Sequence, residues 1–571
     1  MDSLARQLSQ RISAHLGADP LIRVSDHADF QANGALAAAR ERRTAPRELA
    51  AAVAAAILND DVIDRAEPAG PGFINLTVAP TAIWAQIAQR HTASRLGVAT
   101  PLIGQRVVVE YSGPNIAKEL HVGHLRSTVI GDALARLFRH AGADVIRQNH
   151  IGDWGTPFGM LVAYLDDHPE TPIAARPGED TVSRLSTLYR AARAEFERDD
   201  AFAAHARSRV VDLQSGDAGV RAQWRAIVAE SQRYLAEIYH LLEVELTEAD
   251  TDSESSYNDA LAGIVASLVE QGIAVESEGA LCVFSPIARG RDGAPVPLIV
   301  RKSDGGFGYA ATDLAALRRR VDELYADRIC YVVDARQALH FRMVFDTARR
   351  AGWLPDQVTT EHVAFGSVLG LDGTPLKTRE DDSAKLISLL TAAIDRAAAV
   401  LTDRSPDLDA QMAVRRAQEI GIGAVKYADL STGRTRDYVF DLDRMLALDG
   451  NTAVYLQYAH ARTCSILRKA GGVPRTVDMD TAMEPAERRL ALRLDEFDAA
   501  LSATVEHAEP HRLCGYLFDL AQTFAVFWNA CPVLGAPSDS VRANRLVLCD
   551  LTARTLRTGL GLLGIAAPER L

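Results

Sequence analysis

The residues of this chain best suited to chemistry are two histidines three apart, His121 and His124, with Gly123 between them and Lys118 just upstream. Imidazoles at this spacing come to the same edge of a helix start. Both can donate hydrogen bonds to phosphate oxygens whose negative charge grows in a transition state. Lys118 supplies a mobile cation beside them, and Gly123 removes a side chain where a flat ring or a phosphate must come close. The same histidines could instead cap a helix or bind zinc, although no Cys/His cluster accompanies them as a zinc site would require.

The neighbouring residues define the elements that must hold this group. Residues 107–111 are a short apolar run rich in β-branched side chains, the mark of a buried strand. A loop with Gly113, Pro114 and Asn115 follows, and then Leu125, Val129, Ile130, Ala133, Leu134, Leu137 and Phe138 fall on one helical face. Gly142 is placed to end that helix, and 144–149 reads as a second strand. A strand–loop–helix–strand unit of this kind builds parallel sheets. Its helix N-terminus offers free N–H groups and a positive dipole end to phosphate.

His121-Val122-Gly123-His124 in this setting resembles the HIGH signature of class I aminoacyl-tRNA synthetases. The longer words SGPNIAKELHVGHLRST and NHIGDWG are similar to the arginyl-tRNA synthetases in particular. HxGH alone is shared with small nucleotidyltransferases, whereas the full stretch is far more specific. The resemblance extends over the chain, through FQANGALAAA, GPGFINLTV, GGFGYAATD and NTAVYLQYAHAR. It implies a parallel, Rossmann-like α/β catalytic domain over 106–435 with a helical insertion at about 160–250. An α+β domain over 1–105 would precede it, and an all-α anticodon-binding bundle over 436–571 would follow.

Composition sets outer bounds on function. The chain has 571 residues, 48% hydrophobic and 24% charged, enough for several domains with ample core. No apolar run approaches a membrane span. The N-terminus carries Leu4, Leu8 and Ile12 at helical spacing and is not a signal peptide. Six scattered cysteines argue for reduced thiols in a cytosol and against a zinc ribbon or a disulfide frame, so no structural zinc is expected. The net charge of −13 by itself favours a small-molecule enzyme, but local arginine patches decide nucleic-acid binding. Residues 185–196, 207–213 and 220–246 read as helices of the insertion, 280–284 as a strand, and 385–400 as an amphipathic helix. The insertion is too small and too helical to be a large editing domain. That fits a pocket whose carboxylates only a guanidinium would match.

The resemblance assigns roles residue by residue. ATP, with the magnesium that accompanies it, would meet His121, His124, Gly123, Lys118 and His340. Arginine would be held by Asn115, Asn149, Glu254, Tyr309, Asp313 and Gln337, with Asp313 forming a two-bonded fork to the guanidinium. Tyr309 and Asp313, four apart, would share a helix face. Ser253 stands where the family usually has glycine before this glutamate. Lys377 and Arg379 occupy the place of the mobile KMSKS loop, in a degenerate form for which Lys118 would compensate. Phe73 and Asn75 would contact the tRNA elbow, and Tyr455, Tyr458 and Arg462 the anticodon region.

The implied enzyme ligates arginine to tRNA(Arg) through an arginyl-adenylate, as a cytoplasmic monomer, and activates arginine only with tRNA bound. A small-molecule ligase using the same HxGH site is a second reading, though it would not need the two terminal regions. A third is a duplicated synthetase serving biosynthesis or self-resistance, of which the acidic Glu380-Asp381-Asp382 would be the trace. A non-catalytic tRNA-binding protein fits least, because the catalytic words are intact.

Overall fold

The computed structural model describes residues 2–116, 118–171, 181–290, 293–376, 385–404 and 409–571. It forms two compact units, one of residues 100–446 with 562–565, the other of residues 1–99 with 447–561 and 566–571.

The first unit is built on four parallel strands in the order Thr359–His362, Arg328–Tyr331, Arg106–Glu110 and Asp144–Gln148. Val107, Val108 and Val109 are fully excluded from solvent, as expected of a central parallel strand covered on both faces. The helix Val122–His140 crosses from Arg106–Glu110 to Asp144–Gln148. Gly142 takes a φ of +98° at the turn between them, a conformation that only glycine adopts without strain. The second strand stops at Gln148, one residue short of the sequence expectation, because Asn149 leaves the ladder to bridge Thr251. In chain order the sheet grows first to one side of Arg106–Glu110 and later to the other. Its topological switch point therefore lies between Arg106–Glu110 and Arg328–Tyr331, and open α/β sheets bind ligands at the carboxyl ends of such strands.

The insertion consists of helices Thr156–Asp167, Thr181–Arg198, Asp200–Ser215 and Ala218–Leu241. Gly216 ends the third helix and Asp217 caps the fourth, at the break expected near 215–219. The expected helix over 220–246 ends at Leu241, where Glu243 turns to a φ of +53°. Beyond it, the expected short strand over 280–284 is the middle strand, Ala280–Arg289, of a three-stranded antiparallel sheet. A register shift between Phe284 and Arg289 carries the strand past Pro286.

The second unit joins the two ends of the chain. A four-stranded antiparallel sheet, in the order Ile22–Val24, Phe30–Ala32, Phe73–Val78 and Ile63–Ala69, carries helices Leu4–Leu16, Pro46–Ile57 and Pro80–Thr92. Ala453–Ala470, Pro485–Asp495, Phe497–His507, Pro510–Ala530 and most of Asp539–Leu562 form the helical part. Arg90 and Asp495, both about 2% exposed, pair at 2.7 Å across this junction, and Gln86 donates to the same carboxylate. A buried carboxylate needs such partners, so this contact ties the N-terminal block to the bundle.

Candidate active site

The loop leaving Arg106–Glu110 is bent at the switch point by two consecutive residues with positive φ, Ser112 at +70° and Gly113 at +53°. Strain of this kind persists only where the surroundings impose it. Here Ser127 Oγ accepts the Ser112 N–H, and the Asn149 side-chain carbonyl accepts the Gly113 N–H at 3.0 Å. Asn149 Nδ2 donates to the Tyr239 hydroxyl, which also bonds Ser112 Oγ. Asn149 is 3% exposed, so its amide braces the loop. Asn115 follows at the surface, bridged to Gly152, which lacks the side chain that would collide with the Asn115 amide.

His121 is the N-cap of the signature helix, and the two histidines satisfy its first turn reciprocally. His121 Nδ1 accepts from the Gly123 N–H at 3.0 Å, and His124 Nδ1 accepts from the His121 N–H at 3.1 Å. The rings lie 3.9 Å apart. Two Nδ1 acceptors require two Nε2–H tautomers. Burial, reinforced by the charges of Arg336 and Lys118, lowers the His121 pKa. Burial and its neighbour hold His124 down to about 3. Helix capping and phosphate binding are therefore compatible: one nitrogen of each ring serves the helix and the other remains a donor. Gly123 has a more local cause than expected, since a Cβ there would stand 2.8 Å from the His121 ring itself.

The signature helix is locked from behind by Arg126 and Asp429, both fully excluded from solvent and 3.2 Å apart. Lys118 Nζ sits 4.8 Å from the centre of the Tyr189 ring. Lys377, Arg379 and Glu380-Asp381-Asp382 lie outside the described residues. The described chain resumes at Lys385, which bridges His121 and pairs with Glu119 at 3.2 Å.

The carboxylates expected to bind a cation gather beside this edge. Asp313 and Tyr309 stand on the first turns of Tyr309–Asp322, as their spacing predicts, and Tyr309 is 73% exposed. Glu254 begins a short 3₁₀ turn and is half-buried. Burial raises its pKa; His150 opposes this, but the charges of Asp153 and Asp313 add to it, and the carboxyl reaches about 7. Asp153 and Asp313 thus stand near enough to Glu254 for their charges to act on its carboxyl. His340 does not stand apart from this group: its Nε2 lies 2.5 Å from Asp313 Oδ2. Gln337 caps the helix Ala338–Arg350 and is exposed at the same strand end.

Beneath the pocket is a charged network that sequence reasoning missed. Arg320, fully buried, reaches Glu110 at 2.5 Å, Asp252 at 3.0 Å and Gln148 at 2.6 Å. Tyr257 and Arg319 also donate to Asp252. Burial alone would lower the His150 pKa, but its hydrogen bond to Asp252 and the charge of Glu110 push it up to about 9. The charge of His150 thus acts on Glu254 from the frame. Replacing Arg320 with methionine strands the buried Glu110 carboxylate and takes one of several partners from Asp252, and is expected to cost about 3 kcal/mol, read as an earlier chemical-denaturation transition.

In the other unit, Phe73 and Asn75 occupy the open face of Phe73–Val78, while Ile74, Leu76 and Val78 face the core. Asn75 accepts from Gln31 on the neighbouring strand at 2.8 Å. Phe73 is thus neither a core residue nor part of the turn. Tyr455 packs edge-on against Phe518, and Arg462 lies 4.9 Å from the ring of the exposed Tyr458.

Comparison with known proteins agrees over the whole length. Residues 91–442 match the family described as tRNA synthetases class I (R), catalytic domain. Residues 2–78 match the arginyl tRNA synthetase N terminal domain, and 456–571 the DALR anticodon binding domain. An arginine--tRNA ligase of Frankia casuarinae is 56% identical, covering 100% of this chain and 99% of the relative. One of Thermobifida fusca is 51% identical with the same coverage. The arginyl-tRNA synthetase structure of Thermus thermophilus superposes with a TM-score of 0.82 at 26% identity, covering both chains completely. That of Plasmodium falciparum gives 0.84, also at 26% identity and full coverage. The specialised-duplicate reading gains no support from these relatives. With the catalytic, N-terminal and anticodon-binding domains all matched in one chain and a full-length relative at 56% identity, the protein belongs to the class I arginyl-tRNA synthetase family.

Proposed function

We propose that this chain attaches L-arginine to tRNA(Arg) at the expense of ATP, in two steps and without an editing domain. A carboxylate oxygen of arginine attacks the α-phosphorus of ATP; the bond to pyrophosphate breaks and arginyl-adenylate forms. The terminal ribose hydroxyl of tRNA then attacks the acyl carbon, its proton is lost, and AMP leaves. The observation that carries this reading is the signature helix at the switch point, whose two histidines cap it through Nδ1 and each keep Nε2 as a donor.

In this reading His121 and His124 donate from Nε2 to the α-phosphate oxygens, as neutral groups that need no proton transfer. Lys118, Lys377 and Arg379 add positive charge, magnesium arrives with the ATP phosphates, and Gly123 keeps the helix mouth open. Asp313 and Glu254 hold the guanidinium, with Tyr309, Gln337 and Asn115 lining the amino-acid path. Asn149 serves through the Gly113 loop. His340 borders the nucleotide at the Asp313 side. No protein nucleophile is required; positioning and charge stabilisation supply the rate. The enzyme works in the cytoplasm, one chain carrying every residue named.

Charging of tRNA with each of the twenty amino acids in turn, with magnesium and ATP, tests the function. Arginine alone is expected to be charged; efficient charging of another amino acid would refute the assignment. We also assign Phe73 and Asn75, and Tyr455, Tyr458 and Arg462, to tRNA. Replacing Phe73 with alanine removes one stacking surface and is expected to raise the KM for tRNA by about 10-fold. Because Phe73 lies outside the core, the thermal unfolding midpoint should stay unchanged, which differential scanning fluorimetry checks.

A further inference from the structure

We propose that Tyr189, on the helical insertion, is a positioning residue for Lys118: its ring face fixes the ammonium in place without neutralising it. The proposal rests on the reading of Lys118 as a phosphate-binding cation. Lys118 Nζ lies 4.8 Å from the ring centroid, Tyr189 is 8% exposed and Lys118 is partly buried, so water is shielded from the contact on the side of the ring. Cation–π attraction is strongest under such conditions.

The same helix holds the backbone next to Lys118. Ser186 Oγ accepts the Glu119 N–H at 3.0 Å, and Ser186 and Tyr189, three apart on Thr181–Arg198, share a face. A second insertion helix contributes Tyr234, whose hydroxyl accepts the Leu120 N–H at 3.2 Å. The insertion thus grips 118–120 at three successive residues, immediately before the N-cap His121.

The choice of partner is what makes this functional. A carboxylate could hold an ammonium equally firmly, but it would cancel the charge and compete with phosphate for its N–H donors. An aromatic face engages one side of the ammonium and leaves it cationic, with donors free for oxygen ligands. Among the described residues no carboxylate pairs with Lys118, and the adjacent Glu119 is directed to Lys385 at 3.2 Å. The positive charge of Lys118 reaches both signature imidazoles, whose proton affinity it lowers.

The test uses full-length enzyme and a double-mutant cycle, with tRNA charging measured against ATP and against arginine. Tyr189→Leu is expected to lower kcat/KM for ATP by about 10- to 30-fold while the arginine KM changes less than about threefold. Tyr189→Phe, which keeps the ring, should stay within about twofold of wild type. In a Lys118→Met background, Tyr189→Leu should cost almost nothing further. Equal damage from Tyr189→Leu in both backgrounds would overturn the proposal in favour of simple packing, as would equal damage from the phenylalanine variant. Full activity of Lys118→Met would instead overturn the reading of Lys118 beneath it. Wild-type charging of arginine tests the proposed function separately.

Discussion

Replacing His121 or His124 with asparagine is expected to lower the rate of arginine activation by about 10²- to 10³-fold while leaving the fold intact. Asparagine is the informative substitution because its side-chain oxygen stands near the position of Nδ1 and is itself a favoured helix cap. Each variant therefore keeps the acceptor that serves the Gly123 or His121 N–H and loses only the donor on the far side of the ring. Alanine would remove both and confound catalysis with loss of the cap. The two donors act on one developing charge, so the double variant should fall short of the product of the single effects. Single-turnover adenylate formation in the presence of tRNA, beside thermal unfolding, separates the two roles. Loss of stability with activity retained per folded molecule would return the histidines to a purely structural part.

The second large effect concerns the guanidinium pocket. Asp313→Asn should raise the arginine KM by about 10²- to 10³-fold with a much smaller change in the ATP KM. The substitution removes the charge that matches the guanidinium and also disturbs the contact with His340, 2.5 Å away in the free protein. Glu254 adds a pH dependence whose sign follows from its environment. Its carboxyl is raised to about 7, so it is largely protonated below that pH. A guanidinium favours the ionised form, so arginine binding releases a proton when the pH is below about 7. The arginine KM should therefore fall as pH rises towards neutrality, by as much as about tenfold per unit on the acid side, and level off above. Glu254→Gln should flatten this profile and raise the KM at high pH. A KM independent of pH between 6 and 8 in the wild type would contradict the assignment.

The parts of this enzyme legible in its sequence are those set by local rules. A β-branched run, a helical apolar period and a glycine at the turn sufficed to place Arg106–Glu110, Val122–His140 and Asp144–Gln148 nearly to the residue. The spacing of Tyr309 and Asp313 likewise put both on one helical start. The frame beneath the pocket was not legible, because its members meet only through the tertiary fold: Arg320 bonds Gln148 from 172 residues away and Asp252 from 68. Nothing near Arg320 in the chain marks it as buried; as one of three consecutive arginines it reads as part of a solvated face. The joining of the chain's two ends into one unit is hidden for the same reason, as Arg90 and Asp495 are 405 residues apart. The packing of the His121 ring over Gly123 was not legible either, since its reach over its own helix turn depends on a rotamer. Tyr189 reads as one more apolar position of an amphipathic helix until Lys118 is placed above it.

The account depends on two neutral imidazoles that keep their protons on Nε2 at working pH. Nitrogen-15 NMR of histidine-labelled enzyme observes this directly, with His121 and His124 assigned by loss of their signals in the asparagine variants. Both rings should appear as the Nε2–H tautomer at pH 7, with no protonation of His124 down to pH 5, and their Nε2 resonances should move when an ATP analogue binds. Protonated rings at pH 7, or protons resident on Nδ1, would contradict the capping geometry and the catalytic role derived from it.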